Sequence, residues 1–464
     1  MGGNVRGRDI PIALDRDSHI PLAAHLATQI RTLITSGALA PGDAIPSTRT
    51  LAAQLTVSRG TVVAAYDQLI AEGFLLTRPR GATTVHPGAG ALNAPHPSTQ
   101  PSSPSSTPAD HNSETSPVHR QAQSPLTDPA WREAWRKAAS QPLHPGDNPI
   151  PGVSRLRDAV ADHLRHVRLM PVNPADVLIT AGAREGLLLT ILAADLKTIA
   201  VESPGYPGLH RVIDRLGVTT CGARVDAHGV IPEELPTQVD AVLLTPNHLY
   251  PAGGSMPASR RRDVLHHAAQ GGALVLEDDL DADYRHVGPM IPTLWSAAPD
   301  QVVHVGTFRH VLSEHVRLGY VIAPPHLHDA VKQVQRDLGL GASAIAQYAV
   351  AQFLASGGLR RRIARRRREL VRRRTRIIDA VEHCPAWSVE VRSGGHALVR
   401  GMDQDGAERL IQGGERVGIP VMDVAAYWGN ADADSGLVIS YAYGDEQAWD
   451  ELVRLLHHCG VGAA

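Results

Sequence analysis

Between residues 21 and 37 the apolar residues Leu22, Leu26, Ile30, Leu33 and Ile34 recur at the spacing of one helix face. Pro41 and Gly42 mark a turn. Ser47 is placed to cap a second helix over about 48–55, with Leu51 and Leu55 on its inner side. After the short turn at 56–58, Ser58 is placed to cap a third helix running to about Glu72. Val62, Tyr66, Leu69 and Ile70 form its apolar face, and Arg59 and Thr61 lie in its exposed first turn. Segments 74–77 and 83–85 predict paired strands around a tip at 78–81.

From about residue 126 the pattern changes. Short runs at 177–180 (VLIT), 198–201 (TIAV), 241–245 (AVLLT), 273–276 (ALVL) and 302–305 (VVHV) are apolar almost without interruption. Strands buried on both faces of a helix-covered parallel sheet have this pattern, and amphipathic segments lie between several of them. From about residue 385 the strands at 388–392, 396–400 and 437–441, with helices at about 404–417 and 445–458, predict a smaller α+β unit. Between these regions, 87–125 is rich in Pro, Ser and Thr with almost no large apolar residue, so a disordered linker is expected. The chain thus reads as multidomain. A winged-helix unit spans 10–86, the linker 87–125, and an α/β unit 126–464, whose small α+β subdomain covers about 385–464.

The formal net charge is −2, so affinity for nucleic acid has to be local rather than global. The cysteines Cys221, Cys384 and Cys459 form no CxxC pair, which speaks against a disulfide framework or a structural zinc site and fits a cytoplasmic protein. No metal ligand is singled out. The first residues lack the apolar core of a signal peptide, and no run approaches the roughly 20 apolar residues of a membrane span.

Two short helices joined by a tight turn read as a helix-turn-helix, whose second helix presents its first turn to the major groove. Arginine there suits guanine, and a threonine methyl suits thymine. The segments PGDAIPSTRTLA (41–52), VSRGTV (57–62), Tyr66 and EGF (72–74) resemble the winged helix of the GntR family of bacterial regulators. That resemblance implies DNA contacts through Arg49, Ser58, Arg59, Thr61, Arg80 and Gly81. Gly60 and Ala82 depart from the usual pattern, which bears on the operator sequence.

Further along, TAGARE (180–185), ESPGYP (202–207), TPNHLYP (245–251), EDDLD (277–281), GTFRHVL (306–312) and RLGY (317–320) resemble fold-type I aminotransferases. Their order behind a GntR head is similar to that in MocR-type regulators. The resemblance implies a pocket for pyridoxal 5′-phosphate. Its phosphate would rest on Gly182, Ala183 and Arg184 and on Arg317, its ring would stack on Tyr206 beside Tyr250, and its pyridine nitrogen would face Asp278. The departures concern the chemistry. His310 stands where the family has the lysine that forms the Schiff base, after Arg309 in place of a serine. Leu280 replaces the tyrosine at the ring oxygen, and Val438 aligns with a carboxylate-binding arginine. Imidazole makes no stable aldimine, so no catalytic residue and no covalent cofactor are expected. The pocket is expected to hold pyridoxal phosphate or another phosphorylated or anionic ligand non-covalently, with Arg184 and Arg309 as further cations. The expected partners are a double-stranded DNA operator, a small effector and a second copy of the chain. Two alternatives stay open: a ligand-independent regulator using the large domain as a dimerisation scaffold, and an active pyridoxal-phosphate enzyme. The run RRRIARRRRELVRRRTR (360–376) is open between a solvated connecting helix and a second DNA-binding surface.

Overall fold

The computed structural model describes residues 12, 22–72, 74–77, 83–86, 128–142, 144, 146, 149–251, 253–285, 291–313, 315–384, 386–424 and 436–461. The wing-tip residues Arg80 and Gly81 and the linker 87–125 lie outside the described residues.

The head consists of α1 (Leu22–Thr35), α2 (Thr48–Gln54), α3 (Arg59–Ala71), β1 (Leu75–Thr77) and β2 (Thr83–Val85), with the two strands antiparallel. Leu26, Ile30, Leu51, Val62, Leu69 and Leu75 are buried together as its core. Each of the last two helices starts as the sequence predicts. Ser47 accepts from the Thr50 amide and Ser58 from the Thr61 amide, both at 3.1 Å. Tyr66 fixes the angle between α2 and α3 by donating to the Pro46 carbonyl at 2.7 Å. Ser47→Ala is expected to lower the stability of the head by about 1 kcal/mol in thermal melts, because the cap donor is then left to water.

The large domain follows through α4 (Pro129–Ala139), α5 (Ser154–Val167), β3 (Leu178–Thr180), α6 (Ala183–Ala193), β4 (Thr198–Ser203), α7 (Pro207–Arg215), β5 (Thr219–Asp226), β6 (Gly229–Val230), β7 (Ala241–Leu244), α8 (Ala258–Gly271), β8 (Leu274–Asp278), α9 (Leu294–Ala297), β9 (Val302–Thr307), β10 (Gly319–Ile322), α10 (His328–Asp337) and α11 (Ala344–Ala355). Its sheet runs β3-β10-β9-β8-β7-β4-β5-β6. The five apolar runs of the sequence are β3, β4, β7, β8 and β9, and β4, β5, β7, β8 and β9 form a parallel set. The sheet is mixed rather than wholly parallel: β10 runs antiparallel to both β9 and β3. The small domain has β11 (Ser388–Glu390), β12 (Ala397–Arg400), α13 (Gln404–Val417), β13 (Val421–Asp423), β14 (Leu437–Ile439) and α14 (Glu446–Val461), with the antiparallel order β11-β12-β14-β13.

Between the two lies α12 (Gly358–Glu382), the arginine-rich helix, which is partly buried rather than a wholly solvated connector. Several of its guanidiniums clamp backbone carbonyls. Arg373 is 1% exposed and donates to the Tyr441, Tyr443 and Gly444 carbonyls at 3.0, 2.8 and 2.8 Å. Arg362 binds the Val311 and Leu312 carbonyls, Arg367 that of Asp283, and Arg374 that of Val391. The exposed Arg365, Arg368 and Arg372 pair with Asp128, Asp67 and Glu446 at 2.5, 3.9 and 3.8 Å. With those charges already balanced, Arg372→Ala is expected to leave the salt dependence of operator binding unchanged. A slope lowered by about one would make the helix a phosphate contact.

The same helix carries the head. α3 packs on α12, and Arg360 lies 4.0 Å from Glu72, which in turn pairs with the fully buried Arg31 at 2.6 Å.

Candidate functional site

The parallel strands end on one side of the sheet, and the loops leaving them build a cleft against the small domain, as expected for the carboxyl ends of α/β strands. The EDDLD segment leaving β8 separates four carboxylates into four environments. Glu277 accepts from the Leu294 and Trp295 amides at 2.7 and 3.1 Å and from His304 at 3.1 Å, so it starts α9 and ties β8 to β9. Asp279 pairs with the buried Arg168 and accepts from Asn247 at 2.6 Å. Asp281 receives Nδ1 of His310 at 2.5 Å.

Asp278 is 2% exposed, and its Oδ1, like Asp281 Oδ2, has no hydrogen-bond partner among the described residues. Burial, reinforced by Asp279, pushes its carboxyl up to about 8. A buried acceptor with nothing to accept from costs about 1–3 kcal/mol and calls for an explanation. Glu202, at the end of β4, is also buried and pushed up to about 7; its Oε2 takes both the hydroxyl and the amide of Thr245, while its Oε1 likewise has no hydrogen-bond partner among the described residues.

A glycine turn is formed at Gly182. Gly182 has φ +118 and precedes α6, whose first amides have no partner in the helix itself. β10 pairs with β3 so that Gly319 lies opposite Thr180. A Cβ on Gly319 would come within 2.8 Å of the Gly182 Cα, so only glycine permits this approach. Two residues earlier, Arg317 is exposed and has a left-handed backbone, φ +44. Arg184 is exposed, and Arg309 is half-buried. Tyr206 starts α7 with its ring folded over Gly208, and it meets Tyr250 edge-on at 5.3 Å. Tyr250 meets His396 at 4.9 Å.

His310 follows β9, and its carbonyl receives the Tyr284 hydroxyl. Leu280 is buried, and Val438 packs with Tyr250, Leu398 and Val424 in an apolar cluster. The lysines of the chain sit elsewhere: Lys137 beside Glu133, Lys197 beside Asp195, and Lys332 beside Asp329 on α10. His310 also lines a small surface cleft together with Tyr284, Arg362, Arg366 and Tyr443.

Sequence reasoning passed over two residues. His248 and His396 face Asp281 from the loop after β7 and from the start of β12. Burial holds the His248 imidazole below its ordinary range. Burial alone would raise Asp281, but His310, His248 and His396 around it outweigh that and hold it well below the usual carboxylate range. Neither histidine falls in a metal-ligand spacing, so only the fold brings them together.

In the head, Arg49 and Arg59 are exposed at the starts of α2 and α3. Ser58 and Thr61 are engaged with one another, hydroxyl to hydroxyl at 2.8 Å. Their first role is therefore to cap α3 and aim Arg59.

The profile of bacterial regulatory proteins of the gntR family matches residues 22–85, and that of aminotransferase class I and II matches 118–454. The HTH-type pyridoxine biosynthesis transcriptional regulator PdxR of Corynebacterium glutamicum is 40% identical over 439 residues, which cover 94% of this chain and 96% of the relative. The chain belongs to the MocR-type family of HTH transcriptional regulators. The probable rhizopine catabolism regulatory protein MocR of Rhizobium meliloti is 26% identical over 96% of this MocR-type chain and 95% of its own. Among solved structures, an aminotransferase from Mycobacterium tuberculosis shares the fold, with a TM-score of 0.64 at 18% identity over 74% of this chain and 90% of the other. No helix among the described residues of this MocR-type regulator is long and apolar enough to cross a membrane.

Proposed function

We propose that this chain is a sequence-specific DNA-binding regulator whose aminotransferase-like domain senses a pyridoxal-phosphate-like ligand without covalent attachment or turnover. The observation that carries this reading is the buried, unpartnered Oδ1 of Asp278, in a chain that also forms the glycine turn at Gly182 before α6. A protonated ring nitrogen would supply the missing donor, Gly182, Ala183 and Arg317 would take the phosphate, and Tyr206 would flank the ring. When bound, that cofactor supplies an aldehyde and an electron sink. His310 offers imidazole rather than an amine to the aldehyde, and Leu280 offers no hydroxyl to the ring oxygen. The printed function of the Corynebacterium relative, regulation of pyridoxine biosynthesis, agrees with a vitamin B6 ligand. Sensing then requires that the ligand favour one arrangement of head and sensor over another. Two heads in a homodimer would read paired half-sites.

Pyridoxal phosphate added to the purified protein is expected to bind saturably in absorbance and calorimetry, with no adduct after borohydride reduction and mass spectrometry. A reducible lysine adduct would overturn non-covalent binding, and absence of binding would leave the scaffold reading. His310→Lys is expected to create a reducible adduct at position 310 where the parent has none. In the head, Arg59→Ala is expected to weaken operator binding by about 1–3 kcal/mol and to relax selectivity at one base pair, read by gel shift against single-base variants.

A further inference from the structure

The three side chains His248, Asp281 and His396 converge from the loop after β7, the loop after β8 and the start of β12, and all three are buried. Their nearest donor atoms lie within 4.8 Å of one another, and Nδ1 of His396 is 3.7 Å from Asp281 Oδ2. His248 is 2% exposed, and neither of its ring nitrogens has a hydrogen-bond partner among the described residues. Asp281 Oδ2 also lacks a hydrogen bond there, while Oδ1 is taken by His310.

The backbone is shaped around this arrangement. A Cβ on Gly394, which has φ +83, would lie 1.9 Å from His248 Cε1. A Cβ on Gly253, which has φ +75, would lie 1.9 Å from the Ser393 carbonyl oxygen. The His248 loop and the segment before β12 therefore close on one another only because both positions are glycine. Asp281 itself sits at φ +56, a left-handed conformation that aspartate tolerates but that costs free energy. Buried polar atoms are ordinarily satisfied. Here an imidazole and a carboxylate oxygen are held facing one another, and no donor or acceptor among the described residues satisfies them.

We propose that His248, Asp281 and His396 bind one late first-row divalent metal ion, zinc in the first instance. Two imidazoles and one carboxylate are a nitrogen-rich borderline donor set, which suits zinc and disfavours calcium or magnesium. Bonds of about 2.0–2.2 Å place tetrahedral donors roughly 3.4 Å apart, so the site closes by a small contraction. His310, bonded to the other oxygen of Asp281, fixes that carboxylate in the way that outer partners orient metal ligands. Three protein donors leave a fourth position for water or for an effector donor. Because His396 belongs to the small domain and the other two donors to the large one, the ion would clamp the two domains together. The proposal rests on these side chains alone and does not depend on a vitamin ligand at Asp278.

The test uses the purified full-length protein stripped with a chelator, without pyridoxal phosphate. Zinc chloride followed by calorimetry is expected to show one ion bound per chain, and cobalt chloride to develop visible bands. His248→Gln, His396→Gln and Asp281→Asn are each expected to abolish stoichiometric uptake, and His310→Gln to weaken it by about 10–100-fold. Thermal melts of the stripped variants separate loss of the site from loss of the fold. X-ray absorption at the zinc edge of the parent is expected to show two imidazoles and a carboxylate oxygen, which tests the site without any variant. No uptake by the parent, uptake unchanged in His248→Gln and His396→Gln, or a different donor set would each overturn the proposal.

Discussion

Asp278→Asn is expected to raise the melting temperature of the ligand-free protein, and to raise it more at pH 8 than at pH 5. An unfolded aspartate titrates near 3.9. In the fold, burial and then Asp279 push Asp278 up to about 8, with Asp281 and Glu202 adding to the effect and only the Leu280 amide opposing it. Between about pH 4 and pH 8 the folded state therefore keeps a proton that the unfolded chain has lost. Stability falls as pH rises through that window, by on the order of 1 kcal/mol per pH unit at most, and levels off above it. Asparagine has nearly the same shape and does not titrate, so this slope disappears while the unsatisfied amide adds only a constant cost. The same variant is expected to lose affinity for pyridoxal phosphate, because a protonated ring nitrogen no longer meets a carboxylate. A gain in stability joined to a loss of binding is the signature of a residue kept for its ligand. An unchanged pH slope in the variant would show that Asp278 is not the buried acid.

Glu72→Ala is expected to destabilise the head by about 3–5 kcal/mol, which is the cost of removing one partner from a buried ion pair. Glu72 accepts both Nε and Nη2 of Arg31 at 2.9 and 2.6 Å, and Arg360 approaches its other oxygen. Burial would raise the Glu72 carboxyl, but Arg31 and then Arg360 outweigh it and hold the group below its ordinary value. Without Glu72, two buried guanidiniums face each other across the contact between the head and α12. Calorimetry is expected to show the head melting separately and early. Replacing all three residues by Arg31→Met, Glu72→Leu and Arg360→Met is expected to recover most of the loss, since an apolar set leaves no charge to solvate. Arg360→Ala alone keeps the Arg31–Glu72 pair, so it separates docking from folding. If the early transition is absent in Glu72→Ala, the cluster does not hold the head together.

Much of this molecule was legible in its sequence because the relevant signals are local. The period of apolar residues located α1 to α3 and the five apolar strands β3, β4, β7, β8 and β9, and the hydroxyl caps at Ser47 and Ser58 are decided by residues three apart. The Gly182 turn and Asp278 were singled out only through the resemblance of their contiguous segments, TAGARE and EDDLD, to fold-type I aminotransferases. The antiparallel insertion of β10 was not readable, because an apolar strand looks the same in either direction and only Gly319 against Gly182 selects the pairing. The arginine run of α12 was legible as a helix but not as an internal clamp. Which guanidinium meets a carbonyl and which meets a carboxylate depends on loops far away in sequence, such as 441–444. The four carboxylates of EDDLD look equivalent in the chain, and tertiary structure alone gave one to an arginine, one to a helix start and one to a histidine cluster, and left one with a backbone amide on only one of its oxygens. His248 and His396 are 148 positions apart, so no spacing rule links them. Their meeting at Asp281 follows from the docking of the small domain on the carboxyl ends of the strands, a contact that local sequence pattern does not encode.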